Sequence, residues 1–131
     1  MDQKIAIIGG GNLGTAIAEG LISSGFARAG DIIITKRNTA TLAQLEAKGA
    51  EVSNDNAYAV TQARWIIFAV KPFQIKEILE NLKPVLDPAR HVIISVITGI
   101  WIKDLQELLG PHFALFRAMP NTAIAIRESI T

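Results

Sequence analysis

A chain of 131 residues with 13 Lys and Arg against 12 Asp and Glu carries a formal charge of +1. That balance argues against a nucleic-acid or anionic-membrane binder, and any anion site must be local. The absence of cysteine rules out a disulfide framework, a thiolate metal site and a cysteine nucleophile, in keeping with a reducing, cytoplasmic setting. Half of the residues are apolar, which suits one compact domain with strands buried on both faces, yet the apolar run before the first glycines is far short of a signal peptide or the ~20 residues of a membrane span.

Apolar runs at 5–8, 32–34, 66–70, 92–97 and 114–116 predict strands, and stretches with helical spacing lie between most of them. The fold class read from this rhythm is α/β: a Rossmann-type, doubly wound, mainly parallel sheet with helices on both faces. The first helix is expected over 12–24, with Leu13, Ile17 and Leu21 inward and Gly25 as its stop. A second is expected over 39–48 with Gly49 past its end, then a short strand at 51–52 and a helix near 56–61. Pro72 at a first helical turn opens a helix that Pro84 ends, and the last clear helix covers 101–109. The final segment, AIAIRESIT, alternates loosely as an added strand would, and lacks a cap or polar tail. No repeat or linker divides residues 1–131 into more than one domain.

The stretch IAIIGGGNLGTAIAEGL holds the pattern G-x-G-x-x-G at Gly9, Gly11 and Gly14, after a strand and at the start of a helix. Gly9 permits the tight turn, Gly11 lets a pyrophosphate approach the backbone, and Gly14 lets helix and strand pack closely. The phosphates would meet unpaired N–H groups and the positive end of the helix dipole. An acid that binds the ribose 2′-hydroxyl is expected about 20 residues on. The second strand instead ends in Thr35-Lys36-Arg37-Asn38, while Asp31 stands at its opposite end. Lys36 and Arg37 place positive charge where a 2′-phosphate would lie, which favours NADPH and leaves NADH possible. The alternative is that both cations are solvated in a surface loop.

FAVKP, SVITGI and RAMPNTAI stand at further strand ends and should face the same crevice. Lys71 either contacts the cofactor or, with Pro72, only stops a strand and starts a helix. His91 heads a strand and His112 lies in a Gly-Pro-His loop. Neither has a partner at metal-ligand spacing, so both read as surface or core histidines and no metal site is expected.

The glycine seam, KRN, NDN at 54–56, AVKP at 69–72, SVITGI and MPNTA resemble, in order and spacing, the pyrroline-5-carboxylate reductases over essentially the whole chain. The resemblance implies hydride transfer from NAD(P)H to the C=N bond of 1-pyrroline-5-carboxylate, giving L-proline in proline biosynthesis. It matches Gly9, Gly11, Asn12, Leu13 and Gly14 to the pyrophosphate turn. Lys36, Arg37 and Asn38 match the turn around the ribose and its 2′-phosphate, Asn56 a further cofactor contact, and Ala69, Val70 and Lys71 the strand end beneath the cofactor. Met119, Pro120, Asn121 and Thr122 match the loop that closes over nicotinamide and substrate. No catalytic residue is assigned.

The chain departs from the family pattern at Trp65, where an acid is usual, at Ala123, where MPNTP is usual, and at Arg127-Glu128-Ser129, where glycines are usual. Family members continue into an all-helical domain that forms the homo-oligomer and grips substrate, and that domain is absent from these residues. Isolated, the chain is expected to bind cofactor without turnover. The alternatives are a neighbouring NADP reductase of the deazaflavin-dependent type, and a stand-alone nucleotide-binding regulatory module.

Overall fold

Ile5, Ala6, Ile7 and Ile8 offer water no polar face, and a strand of this kind is stable only with both faces covered. In the computed structural model, which describes residues 4–97, 102–110 and 112–117, this run is strand β1 (Ile5–Ile8), with all four side chains fully buried. The other strands are β2 (Ile32–Thr35), β3 (Glu51–Ser53), β4 (Trp65–Phe68), β5 (Val92–Ser95) and β6 (Ala114–Arg117). All pairings are parallel, in the order β3-β2-β1-β4-β5-β6. This is the doubly wound arrangement expected from the sequence, with the order reversing between β1 and β4.

Helices α1 (Asn12–Ser23) and α2 (Ala43–Ala47) cover one face, and α3 (Asn56–Gln62), α4 (Ile75–Leu82) and α5 (Ile102–Leu109) cover the other. The period of two along each strand divides the core accordingly. Ile5, Ile7, Ile32 and Ile34 pack with Ile17 and Leu21 of α1 and Leu45 of α2. Ala6, Ile8, Ile33 and Ile66 pack with Val60 of α3, Leu79 of α4 and Leu105 of α5. Each isoleucine buried in this way contributes roughly 1.5–3 kcal/mol.

Most boundaries lie within a residue or two of the sequence expectation, and three of those that differ show their local contacts. The helix expected over 39–48 opens as a 3-10 turn (Thr39–Leu42). There the Thr41 hydroxyl donates to the Asn38 carbonyl at 3.1 Å and Asn38 Oδ1 accepts from Ala40 N–H at 3.2 Å, tightening the first turn. The strand expected to reach residue 70 ends at Phe68, with Ala69 N–H still donating to the Ile8 carbonyl at 2.9 Å. The strand expected to reach residue 97 ends at Ser95, whose Oγ accepts from Ile97 N–H at 3.2 Å and turns the chain. Gly25 and Gly49 both have positive φ, +78° and +109°, as helix-ending glycines should. Trp101 and the added strand expected in AIAIRESIT lie outside the described residues.

Helix α1 approaches β1 at Gly14. A Cβ placed there would overlap the Gly9 carbonyl oxygen, a backbone atom that cannot rotate away. A Cβ at Gly11 would meet nothing within 4 Å, and its φ of −75° suits any residue. Gly14→Ala is therefore expected to cost about 3 kcal/mol by overpacking, while Gly11→Val leaves the thermal midpoint within a few degrees. Paired thermal melts of the two variants check this contrast.

At the amino edge of the sheet His91, only 3% exposed, ties two elements together. Its Nδ1 accepts from Asp87 N–H at 2.9 Å, so Nε2 carries the proton and donates to the Val60 carbonyl at 3.0 Å. Burial holds its pKa below the usual histidine value, with Arg90 adding to the shift and the Val60 carbonyl and Asp87 opposing it. Well above about pH 6.5 the ring is neutral in both folded and unfolded chains, so stability does not change with pH through this group. As pH falls through that value the unfolded chain takes the proton first, and stability declines toward the lower folded pKa. Midpoints measured from about pH 7.5 to 5 should show this loss in the parent, and a His91→Gln variant should show less of it.

Candidate dinucleotide crevice

The strand registers end level. Ile8 pairs with Thr35 and Phe68, Thr35 with Ser53, and Phe68 with Ser95, so the segments after them share one edge. At the reversal point between β1 and β4 this edge opens into the crevice where a parallel sheet binds ligands.

The glycine turn forms its floor. Gly9 adopts φ +109°, and a Cβ on it would stand 2.8 Å from the Ala69 carbonyl oxygen and 2.9 Å from Val70 Cγ1. The turn is thus wedged against the segment after β4. Gly9 N–H faces Thr35 at its other side, 3.3 Å from the carbonyl oxygen and 3.4 Å from the hydroxyl. Gly11 and Asn12 are exposed and Leu13 is half-buried. Among the described residues no side chain caps the amino end of α1, and no acid lies in its first turn, leaving its N–H groups and dipole to face an anion. The open space at Gly11 is the one a phosphate needs for backbone approach.

The basic turn lies beyond β2. Lys36 N–H donates to the Ser53 carbonyl at 3.0 Å, which fixes the backbone, and its side chain is half-buried. Arg37 and Asn38 are exposed. Among the described residues no ion pair engages Lys36 or Arg37, whereas an ion pair joins Arg28 to Asp31 at 3.6 Å. It also places Asp31 at the amino edge of β2, away from the crevice, as the sequence indicated. Asn38 Oδ1 is engaged by Ala40 N–H, so its amide nitrogen is the group left to face a ligand.

Ala69 and Val70 are half-buried against the glycine turn, and exposed Lys71 follows them. Lys71 follows β4 at the carboxyl edge, and its backbone starts the 3-10 turn Pro72–Gln74. Asn56 stands farther off. It opens α3, half-buried, and lines a depression with Asn54, Asp55, Ala57, Ile78, Asn81 and Leu82 that no glycine-turn residue borders. Met119, Pro120, Asn121 and Thr122 lie outside the described residues. Trp65 pairs with Ile5 and Val92 at the amino edge, so that departure does not touch the crevice.

Sequence reasoning passed over Gly10, Thr35 and Gln74. A Cβ on Gly10 would come within 3.0 Å of both Leu42 δ-carbons and 3.1 Å of the Thr35 carbonyl. Gln74 Oε1 accepts from Lys71 N–H at 3.1 Å. A polar residue ending an apolar strand, and Gln three residues after a helix start, were the available signals.

Residues 4–99 match the family described as NADP oxidoreductase coenzyme F420-dependent. The chain is 38% identical to pyrroline-5-carboxylate reductase 1 of Dictyostelium discoideum and 37% identical to reductase 2 of that organism, in each case over 99% of its length. It spans 23% and 44% of those two proteins. The solved pyrroline-5-carboxylate reductase of Coxiella burnetii superposes with a TM-score of 0.84 at 33% identity, over 96% of this chain and 47% of that one. The resemblance read from the motifs thus holds in sequence and in fold. The chain is similar over 99% of its length to named pyrroline-5-carboxylate reductases, and it belongs to the NADP oxidoreductase coenzyme F420-dependent family.

Proposed function

We propose that the crevice holds NADP(H) and that the chain is the nucleotide-binding domain of a pyrroline-5-carboxylate reductase. The observation that carries the cofactor reading is the pairing of an open glycine turn with two cations at the end of β2, neither the turn capped nor the cations ion-paired among the described residues, and with no acid following that strand. In this reading Gly9, Gly11, Asn12, Leu13 and Gly14 cradle the pyrophosphate, and Lys36, Arg37 and Asn38 hold the 2′-phosphate. Ala69, Val70 and Lys71 run beneath the cofactor, and Asn56 is a further cofactor contact. The family resemblance assigns Met119, Pro120, Asn121 and Thr122 to the nicotinamide and substrate.

The bound cofactor would supply hydride to the carbon of the substrate C=N bond while the nitrogen takes a proton, yielding proline and the oxidised dinucleotide. The residues of this chain bind and orient. Their phosphate contacts fix the dinucleotide along the crevice, and the wedge of Val70 against Gly9 fixes the floor on which it lies. A helical substrate and dimer-forming domain, a homo-oligomer and a cytoplasmic setting complete the proposal. No helix among the described residues is long and apolar enough to cross a membrane. The second reading is hydride exchange with a deazaflavin, favoured by the description of the matching family.

NADPH is expected to bind more tightly than NADH, since each charge-assisted contact to the 2′-phosphate is worth about 1.5–3 kcal/mol. In calorimetric titrations the Lys36→Ala, Arg37→Ala double variant should lose at least about tenfold in NADPH affinity while NADH affinity holds. Equal affinities of the parent for the two would refute the 2′-phosphate assignment.

The 131-residue chain is also expected to reduce pyrroline-5-carboxylate at least about a hundredfold more slowly than a full-length relative, because substrate orientation supplies a large share of the barrier reduction. Steady-state assays of both proteins decide it. Comparable turnover would show a complete site within these residues.

A further inference from the structure

Three large hydrophobic side chains are exposed among the described residues: Tyr58 at 40%, Phe116 at 41% and Phe73 at 82%. Phe73 differs from the others in its degree of exposure and in its place. It is the middle residue of the 3-10 turn Pro72–Gln74. Proline fixes the backbone before it, and Gln74 N–H donates to the Lys71 carbonyl at 2.9 Å. Gln74 Oε1 in turn accepts from Lys71 N–H at 3.1 Å. Ile75, two residues on, is buried in the core; residues two apart in a helical turn point to different faces, so the phenyl ring stands outward while Ile75 packs inward.

The place follows from topology. Val70, three residues before Phe73, packs against the glycine turn. Strand β4 lies on the opposite side of β1 from β2. A dinucleotide with its 2′-phosphate at Lys36 and Arg37 and its pyrophosphate at the glycine turn must carry its other half toward the segment after β4. We propose that Phe73 is a positioning residue for that nicotinamide half, its ring covering the planar base once the cofactor is in place. Aromatic faces and planar heterocycles stack favourably. This inference rests on the reading of the crevice as an NADP site.

The test uses two ligands. NADP+ carries both halves, whereas 2′,5′-ADP carries the adenosine and its 2′-phosphate without the nicotinamide. Calorimetry on the parent, Phe73→Ala and Phe73→Tyr chains should show NADP+ affinity falling about tenfold in Phe73→Ala. Affinity for 2′,5′-ADP should stay within about twofold, and Phe73→Tyr should restore NADP+ binding. An exposed side chain contributes little to stability, so unchanged melting of Phe73→Ala serves as the folding control. Unchanged NADP+ affinity in Phe73→Ala, or an equal loss for both ligands, overturns the assignment. So does a change confined to self-association in sedimentation, which would mean that a second copy covers the ring. Failure of the parent to bind either ligand overturns the crevice reading itself, and the role of Phe73 with it.

Discussion

The backbone of α1 rests on the backbone of the turn that precedes it, at Gly14 over the Gly9 carbonyl. No side chain mediates the contact, so it admits no adjustment. It sets how near the amino end of α1 comes to the end of β1, and through that the place of every N–H group the helix presents. Leu13, Ile17 and Leu21 could pack at other distances, because side chains change rotamer, but the glycine contact selects one. The positive φ at Gly9 is the other half of this constraint, since the chain must reverse from strand to helix within a few residues.

From this fixed turn the crevice extends to both sides through short polar and van der Waals contacts. Toward β2, Gly9 N–H faces Thr35, and Gly10 packs against Thr35 and Leu42, so the basic turn is held in register with the glycine turn. Toward β4, Val70 and the Ala69 carbonyl close on Gly9. A ligand spanning the three segments would meet a surface organised before it arrives, which lowers the ordering cost of binding.

The two edges of the sheet divide the work. At the amino edge the buried indole N–H of Trp65 has no hydrogen-bond partner among the described residues, while His91 joins the segment after α4 to the end of α3 and Arg28 pairs with Asp31. At the carboxyl edge the cations at Lys36 and Arg37 have no such partner among the described residues. This asymmetry is what a parallel sheet imposes, since all its strand ends and helix beginnings point the same way.

Strand positions and the alternation of helix and strand were legible in the sequence because two-sided burial demands unbroken apolar runs such as Ile5–Ile8 and because glycine and proline punctuate helices. The glycine fingerprint and the missing acid after β2 were legible too, since each depends on residue type at a fixed chain distance. What the sequence could not determine were the distances between segments far apart in the chain. It could not show that Gly10 meets Leu42, that Thr35 faces Gly9, or that Val70 leaves the strand to wedge the glycine turn. Phe73 lies two residues from Ile75 and in line with Lys76, Glu77 and Glu80, so the helical period already sets it on the polar face; what the sequence could not show is that the capped turn carrying it follows a segment wedged on the glycine turn. Chain-local rules determine which elements form; the packing of elements brought together by the sheet determines which of their atoms are left to face a ligand.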